Sequence, residues 1–520
     1  MRLLLLLAAI STASMLSAQL GTGGVCGTPP VDMDVLRQSK AMAKTMDLES
    51  KMTTYIPLRF KLIGRSDGTG AADVNRVLDL VRSMNVDFAP MGWQFFLENG
   101  NGEPWDYYFN TDFYTNHAQQ ERLLRTFRST NAVSIYVPNT ATPANSSGLG
   151  VTLGYYSPSL DILVFRRSEV GSNASTASHE VGHYFSLPHT FRGWDCCSWD
   201  GLTTEDCSNP EITSPVMQLT APCSNRAVEL VTRGSGANCA TAGDTFCDTN
   251  ADYNLGFGWN NCNYTGGVRD RNNDLLTPDE DNFMGYFLDC NPYQFSDEQQ
   301  AAMIGNRNLS SRSFLRGGAP DFTDTIAEAI SYVFPTEEDA TIDIADQVTI
   351  DWAPVPFAQY YYIEVSERRS FSTIFLQELI TDGSTEITLT GLDADTKYYY
   401  RMRAFSQVSF GAVESTRSIT TGTISSADQL GEAVNTLALG PNPVTAGSDL
   451  NITIQSDSDQ QATANVIDLT GRTLQTQQVR LSNGTSRIVL PIERSLAAGT
   501  YVLSLTSDRG VTNRKFTVNK

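Results

Sequence analysis

The sequence predicts a multidomain chain in which a mixed α/β (α+β) domain is followed by two all-β sandwich domains. Three observations lead there. At 520 residues the chain is too long for one hydrophobic core. Helix-period and strand-period segments alternate between about residues 55 and 185. After Gly317-Gly318-Ala319-Pro320 the composition shifts to short alternating runs separated by turn residues, as in sandwiches.

The N-terminus opens with Met1-Arg2 and an apolar run from Leu3 to Ala9, ending near Leu16-Ser17-Ala18 before Gln19. A basic start, a short apolar core and small residues at the end make a secretory signal peptide over residues 1–18. No later stretch is apolar for the ~18 residues of a membrane helix, so no membrane span is expected. Residues 19–50 read as a short pro-segment and 51–316 as the α/β domain. Within that domain the alternation Ile56, Leu58, Phe60, Leu62 predicts a half-buried strand over Tyr55 to Ile63. Val74, Val77, Leu78 and Val81 predict a helix from Ala71 to Met84, and a second is expected around His117 to Phe127. Strands at Ala132 to Val137 and Leu160 to Phe165 precede a helix from Asn173 to Phe185. His117 reads as an ordinary helix residue.

That last helix carries the chemistry. The chain has four histidines, and three fall in His179-Glu180-Val181-Gly182-His183-Tyr184-Phe185-Ser186-Leu187-Pro188-His189. His179 and His183, four apart, share one helix face at the spacing two ligands of one zinc ion need. Pro188 ends the helical register, so His189 must return to the metal from a turn. Three protein ligands leave zinc a position for water, the arrangement of a catalytic site. Glu180 sits beside that face as a general base.

The string resembles the metzincin pattern HExxHxxGxxH, and the longer run to Phe191 most resembles the pappalysin family of zinc endopeptidases. The resemblance implies a metzincin-like catalytic domain and makes Asn282-Phe283-Met284-Gly285-Tyr286 the methionine turn, with Met284 as the floor under the ligands. It gives Tyr286 the role of an oxyanion stabiliser, places calcium near Asp248 of Phe246-Cys247-Asp248-Thr249, and sets Asp289 beside the S1′ pocket, favouring Arg or Lys after the scissile bond. The sequence departs from the pattern at Ser186, where the family has glycine.

Nine cysteines divide unevenly, with Cys26 alone and eight between Cys196 and Cys290. In an exported protein the eight read as up to four disulfides of undetermined pairing, with a structural cysteine-zinc site as the alternative. Cys26, in Gly24-Val25-Cys26-Gly27, is either a thiolate that fills the open zinc position of a latent precursor, as in related proteases, or a stray or intermolecular thiol. Asp244, Asp248, Asp252 and Asn254, then Asp270, Asn272, Asp274, Asp279 and Asp281, form two oxygen-rich stretches suited to calcium or to a solvated acidic loop. Leu275 stands where an EF-hand needs glycine.

Residues 317–340 read as a linker. Residues 341–422, with Ile350-Asp351-Trp352, alternation from Tyr360 to Val365 and Leu392 to Arg401 around Tyr398, resemble a fibronectin type III domain, Tyr398 fitting the tyrosine corner. Residues 437–520, with Gly440-Pro441-Asn442-Pro443-Val444, Val466 to Arg472 and Leu496 to Tyr501, resemble the C-terminal sorting domain of the type IX secretion system. That resemblance implies a Gram-negative cell, with the protein secreted or held at the outer surface by way of that machinery.

The expected function is therefore a secreted zinc endopeptidase acting on protein or peptide substrates, with Zn2+ as cofactor and Ca2+ as a structural ion. The alternatives are a surface adhesin with a non-catalytic zinc domain and a zinc hydrolase of non-peptide amides or esters. With 37 basic against 58 acidic residues and a net charge of −21, the chain is not expected to bind nucleic acid.

Overall fold

The computed structural model describes residues 25–46, 52–100, 102–143, 151–173, 175–195, 220–259, 261–321, 323–344, 347–424, 434–456, 458–468, 472–507 and 510–520. The signal-peptide residues and Cys196, Cys197 and Cys207 lie outside them. The chain forms two compact units, Met1–Thr325 with Ser406–Phe410, and Ile326–Phe405 with Gly411–Lys520.

The first unit is built on a seven-stranded mixed sheet, ordered β1-β6-β7-β5-β2-β3 with β4 also on β2. The strands are β1 (Val25–Cys26), β2 (Thr54–Gly64), β3 (Trp93–Leu97), β4 (Trp105–Phe109), β5 (Val133–Val137), β6 (Thr152–Ser157) and β7 (Ile162–Phe165). β2 is central and buried on both faces, so its run Ile56, Leu58, Phe60, Leu62 and Ile63 is continuous core. Arg59 is buried in the same strand because Asp106 and the Glu98, Gly100 and Glu103 carbonyls take its guanidinium donors. β6 runs antiparallel to β7, while β1 lies parallel on the outer edge of β6.

Six helices accompany the sheet among the described residues: α1 (Met33–Ala43), α2 (Val74–Asp87), α3 (Thr111–Thr115), α4 (Glu121–Thr126), α5 (Ser175–Tyr184) and α6 (Asp297–Arg307). Asp32 and Asp73 cap α1 and α2 through the Asp34 and Asn75 N–H groups, and Ser296 with Gln299 forms a capping box on α6. α2 packs on β3, and α5 packs on β6 and β7. The helix expected over His117 to Phe127 divides into a 3-10 turn, His117–Gln120, and α4. α1 falls in the stretch read as pro-segment, yet Leu36, Ser39 and Ala43 are buried in the unit against α6. From 185 to 296 the described residues hold no α-helix or β-strand. Turns, an aromatic cluster around Phe191, Trp194, Tyr253 and Phe287, and disulfides Cys239–Cys247 and Cys262–Cys290 order them instead. Cys223 is also disulfide-bonded, and Cys26 is a free thiol.

The second unit holds two sandwiches. In the first, β8 (Tyr332–Phe334), β10 (Gln347–Trp352) and β13 (Glu386–Thr390) form one sheet, ordered β13-β10-β8. The other sheet, β12-β11-β14-β15-β9, comprises β9 (Asp339–Ile344), β11 (Tyr360–Ser366), β12 (Leu376–Ile380), β14 (Lys397–Phe405) and β15 (Arg417–Ile424). Trp352, Ile363, Leu389 and Tyr400 fill its core, and the Tyr398 hydroxyl accepts from the Asp393 N–H at 2.9 Å, closing a tyrosine corner. Ile326, Ile330 and β8 belong to this sandwich although the composition places them in a linker, because Ile326 and Ile330 pack into its core.

The second sandwich has strands β16 (Val434–Gly440), β17 (Val444–Thr445), β18 (Asp449–Ser456), β19 (Gln460–Ile467), β20 (Thr473–Leu481), β21 (Gly484–Pro491), β22 (Gly499–Ser507) and β23 (Gly510–Asn519). Its sheets are β16-β18-β21 and β17-β23-β22-β19-β20. In β18 the apolar residues Leu450, Ile452 and Ile454 point inward, and Asn451, Thr453 and Gln455 alternate with them.

Candidate functional site

α5 brings His179 and His183 onto one face one turn apart, and the turn that ends it returns His189 to the same point. The His183 Nε2 atom lies 3.1 Å from both the His179 and His189 Nε2 atoms. Each ring is pinned from behind. His179 Nδ1 is 2.6 Å from the Phe283 carbonyl, His183 Nδ1 is 2.7 Å from the Leu187 carbonyl, and His189 Nδ1 is 2.7 Å from Asp195 Oδ1. These partners only accept, so each Nδ1 carries the proton and each neutral ring turns a bare Nε2 lone pair to the shared point. Three lone pairs at that spacing repel unless a cation lies among them, and buried imidazoles do not supply one by protonation. Burial and the neighbouring ring push the His179 imidazole down to about 3. The donor set therefore fits a zinc ion, with three nitrogens and room for a fourth ligand.

That fourth position faces Cys26. Its Sγ and the three Nε2 atoms all lie within 4.8 Å of one another, the one such group of three or more metal-ligating side chains among the described residues. β1 delivers the thiol, pairing Val25 with Thr152 and Cys26 with Gly154 on the β6 edge. The chain just past this strand reaches Glu180: the Thr28 hydroxyl donates to Glu180 Oε2 at 2.7 Å and accepts from the Tyr156 N–H at 2.7 Å, while the Cys26 thiol is 3.5 Å from that carboxylate oxygen. Burial pushes the Glu180 carboxyl up to about 7, against the Thr28 and Cys26 hydrogen bonds that pull it down. The Tyr286 hydroxyl accepts from the Cys26 N–H at 3.2 Å, and burial pushes its phenol above the ordinary range, so it keeps its proton.

Met284 is fully buried, its N–H held by Asn282 Oδ1 at 2.9 Å and its carbonyl accepting from the Thr190 N–H. Gly182 faces it, and a Cβ there would stand 2.5 Å from Met284 Sδ and 3.3 Å from the Phe295 ring. Gly182→Ala is expected to lower unfolding stability by about 1–3 kcal/mol through overpacking. A wild-type denaturation midpoint would show instead that Met284 can retreat.

Sequence reasoning missed Asp195, Thr28 and the Leu187 and Phe283 carbonyls. Asp195 follows His189 by six residues, and a carboxylate close after a candidate histidine ligand was its one available signal. Burial alone would raise Asp195, but the His189 and Gly193 hydrogen bonds hold it below the ordinary carboxylate range. His117 takes no part in the cluster; it is buried against the Tyr155 hydroxyl at 3.2 Å. Asp289 is exposed and does not line the cavity beside Glu180, whose walls include Leu153, Thr176, Phe283, Leu288 and Tyr293.

The oxygen-rich stretches are tied up internally. Asp248 caps α6 by accepting from the Glu298 N–H and the Ser296 hydroxyl, Asp279 accepts from Asn250, and Asp270 accepts from the Val231, Asn272 and Asp274 N–H groups. Glu229 and Asp244 are both buried and both pushed up by burial, and Glu229 Oε2 has no hydrogen-bond partner among the described residues.

Comparison with known proteins bears on the C-terminal end. Residues 439–519 match the family model of the secretion system C-terminal sorting domain. The chain is a secreted or outer-surface protein of a Gram-negative bacterium. Its sorting domain marks it for the type IX machinery, and among the described residues no helix is long and apolar enough to cross a membrane. No curated protein matches the chain. Among solved structures, the FN1–FN3 domains of chicken CNTN1 are similar at 14% identity over 37% of this chain and 67% of that one, with a TM-score of 0.17.

Proposed function

We propose that this chain is a zinc-dependent endopeptidase of the pappalysin-like metzincin kind, exported in a latent form. The observation that carries the reading is the convergence of three bare Nε2 atoms whose Nδ1 atoms are each pinned by an acceptor. His179, His183 and His189 would hold the ion, which when bound supplies a polarised water and an electrophile at neutral pH. Glu180 takes the proton of the attacking water at a carboxylate oxygen and passes it to the leaving amine. Tyr286, still protonated, donates to the developing oxyanion once Cys26 no longer occupies its hydroxyl. The β6 edge that β1 covers is where an extended peptide would add as a strand.

His189→Ala is expected to weaken zinc binding by more than about a hundredfold and to lower peptidase activity with it. Metal analysis beside turnover of a protein and peptide panel, with and without chelator, tests this. Stoichiometric zinc with full turnover in the variant would remove His189 from the ligand set. Chelator-insensitive turnover, or turnover of esters and non-peptide amides alone, would overturn the endopeptidase reading.

Calcium is part of the same proposal, at the acidic stretches near Asp248. Asp252 is pushed up to about 6 by burial, and Glu229 and Asp244 are raised in the same way. A raised carboxyl binds more protons folded than unfolded, so its contribution is fully present below the ordinary range near 4 and is lost as pH rises through its folded value. Calcium-free protein should therefore lose stability from about pH 4 to 6 and above, and calcium should flatten that slope by mass action. Melting curves at fixed zinc that are identical with and without calcium would take calcium out of the account.

A further inference from the structure

We infer that Ser39 of α1 is a positioning residue for the turn that presents His189, acting through Ser186; the inference rests on reading the three histidines as metal ligands. Ser186 lies just past α5 at φ 74°, in the left-handed region where side chains other than glycine are strained. The turn around it is closed by the Ser186 N–H to the His183 carbonyl and the Leu187 N–H to the Gly182 carbonyl, each 2.9 Å. Its conformation matters to the ligands at both ends. The Leu187 carbonyl pins His183 from behind, and the chain continues through Pro188 to His189.

What holds Ser186 in place comes from α1. Ser39 is fully buried and Ser186 nearly so, and their hydroxyl oxygens are 3.2 Å apart. Ser39 spends its one proton on the Val35 carbonyl at 2.8 Å, so the Ser186 hydroxyl must be the donor between them. Asn306 Nδ2 donates to the same Ser39 oxygen at 3.1 Å. The Ser186 hydroxyl has no other partner among the described residues, so without Ser39 it is left buried and unsatisfied. α1 is itself tightly placed. Its backbone approaches α6 so closely that a Cβ on Gly305 would run into the Ser39 carbonyl. On its other side Lys40 donates to the Thr245 carbonyl at 2.6 Å and lies over the Phe246 ring.

α1 thus supports the ligand turn, while β1 of the same N-terminal segment covers the site. A cut in the stretch containing the exposed residues Pro29, Pro30 and Asp32 would release the thiol strand and keep this support; a cut beyond α1 would remove both.

The test uses the full chain with Co2+ in place of zinc, reading affinity and the d–d absorption of the bound ion, with the melting point of the metal-free protein alongside. Ser39→Ala and Ser186→Ala should each weaken Co2+ binding by roughly three- to tenfold and shift the d–d bands in the same way. The double variant should be no worse than either single one. Ser186→Gly should restore affinity, because glycine adopts the turn without the hydroxyl. Effects that add in the double variant, or wild-type affinity and bands in Ser39→Ala, would overturn the inference. Ser186→Ala leaves α1 untouched, so the comparison survives if Ser39→Ala folds poorly, and a wild-type Ser186→Ala would sink it equally. If the unmutated chain binds no Co2+, the metal reading itself has failed and the inference falls with it, a result recognisable because it does not depend on Ser39.

Discussion

Glu180→Ala is expected to lower peptidase activity by roughly 10³-fold or more while zinc content and fold stay as in the wild type, the general base being the one element removed. The reason is positional. Glu180 is buried beside the histidines without being one of the three convergent donors, so its loss leaves His179, His183 and His189 with their Phe283, Leu187 and Asp195 partners. The decisive measurement pairs turnover with metal analysis on the same sample, after the N-terminal segment has been removed. Activity within tenfold of wild type in a zinc-loaded variant would rule out Glu180 as the base. Loss of zinc along with activity would mean that the carboxylate has a structural role, which its hydrogen bonds to Thr28 and Cys26 do not suggest.

Cys26→Ala should convert an inactive full-length chain into an active or self-clipping one, raising precursor turnover by on the order of a hundredfold, because a tethered thiol is present at the site at high effective concentration. Geometry makes this thiol more than a nearby cysteine. It stands within 4.8 Å of all three Nε2 atoms, its N–H occupies Tyr286, and two residues on Thr28 occupies Glu180. The short segment from Cys26 to Thr28 therefore contacts the three-histidine cluster, Tyr286 and Glu180 together. Removing the thiol leaves the Thr28 contact, so Cys26→Ala with Thr28→Val should be more active than Cys26→Ala alone. If the Cys26→Ala precursor is as silent as the wild type, and trimming activates both equally, the thiol is not the element that holds the chain latent.

Much of the candidate site was legible because its signals are local. Two histidines four apart need only a helix to share a face, and Pro188 forces a turn before His189. The central strand β2 announces itself by an apolar run, and the last sandwich by alternation and turn residues. Met284 and Tyr286 were placed through a resemblance, since nothing in their immediate sequence points to the histidines.

What the amino-acid sequence determined by itself was thus the donor set, the helix that carries most of it, the succession of folded regions and the export signal at the C-terminal end. Tertiary structure alone decided what surrounds that donor set. The Phe283 and Leu187 carbonyls orient rings through backbone atoms, which have no residue identity to read. β1 is two residues long and exists only because the β6 edge offers unpaired backbone groups to it. α1 buries only Leu36, Ser39 and Ala43 of its eleven residues, and is held in part by one serine, one lysine and a close approach at Gly305. A periodicity search passes over such an element, because its stabilisation comes from partners far along the chain that meet it only after folding.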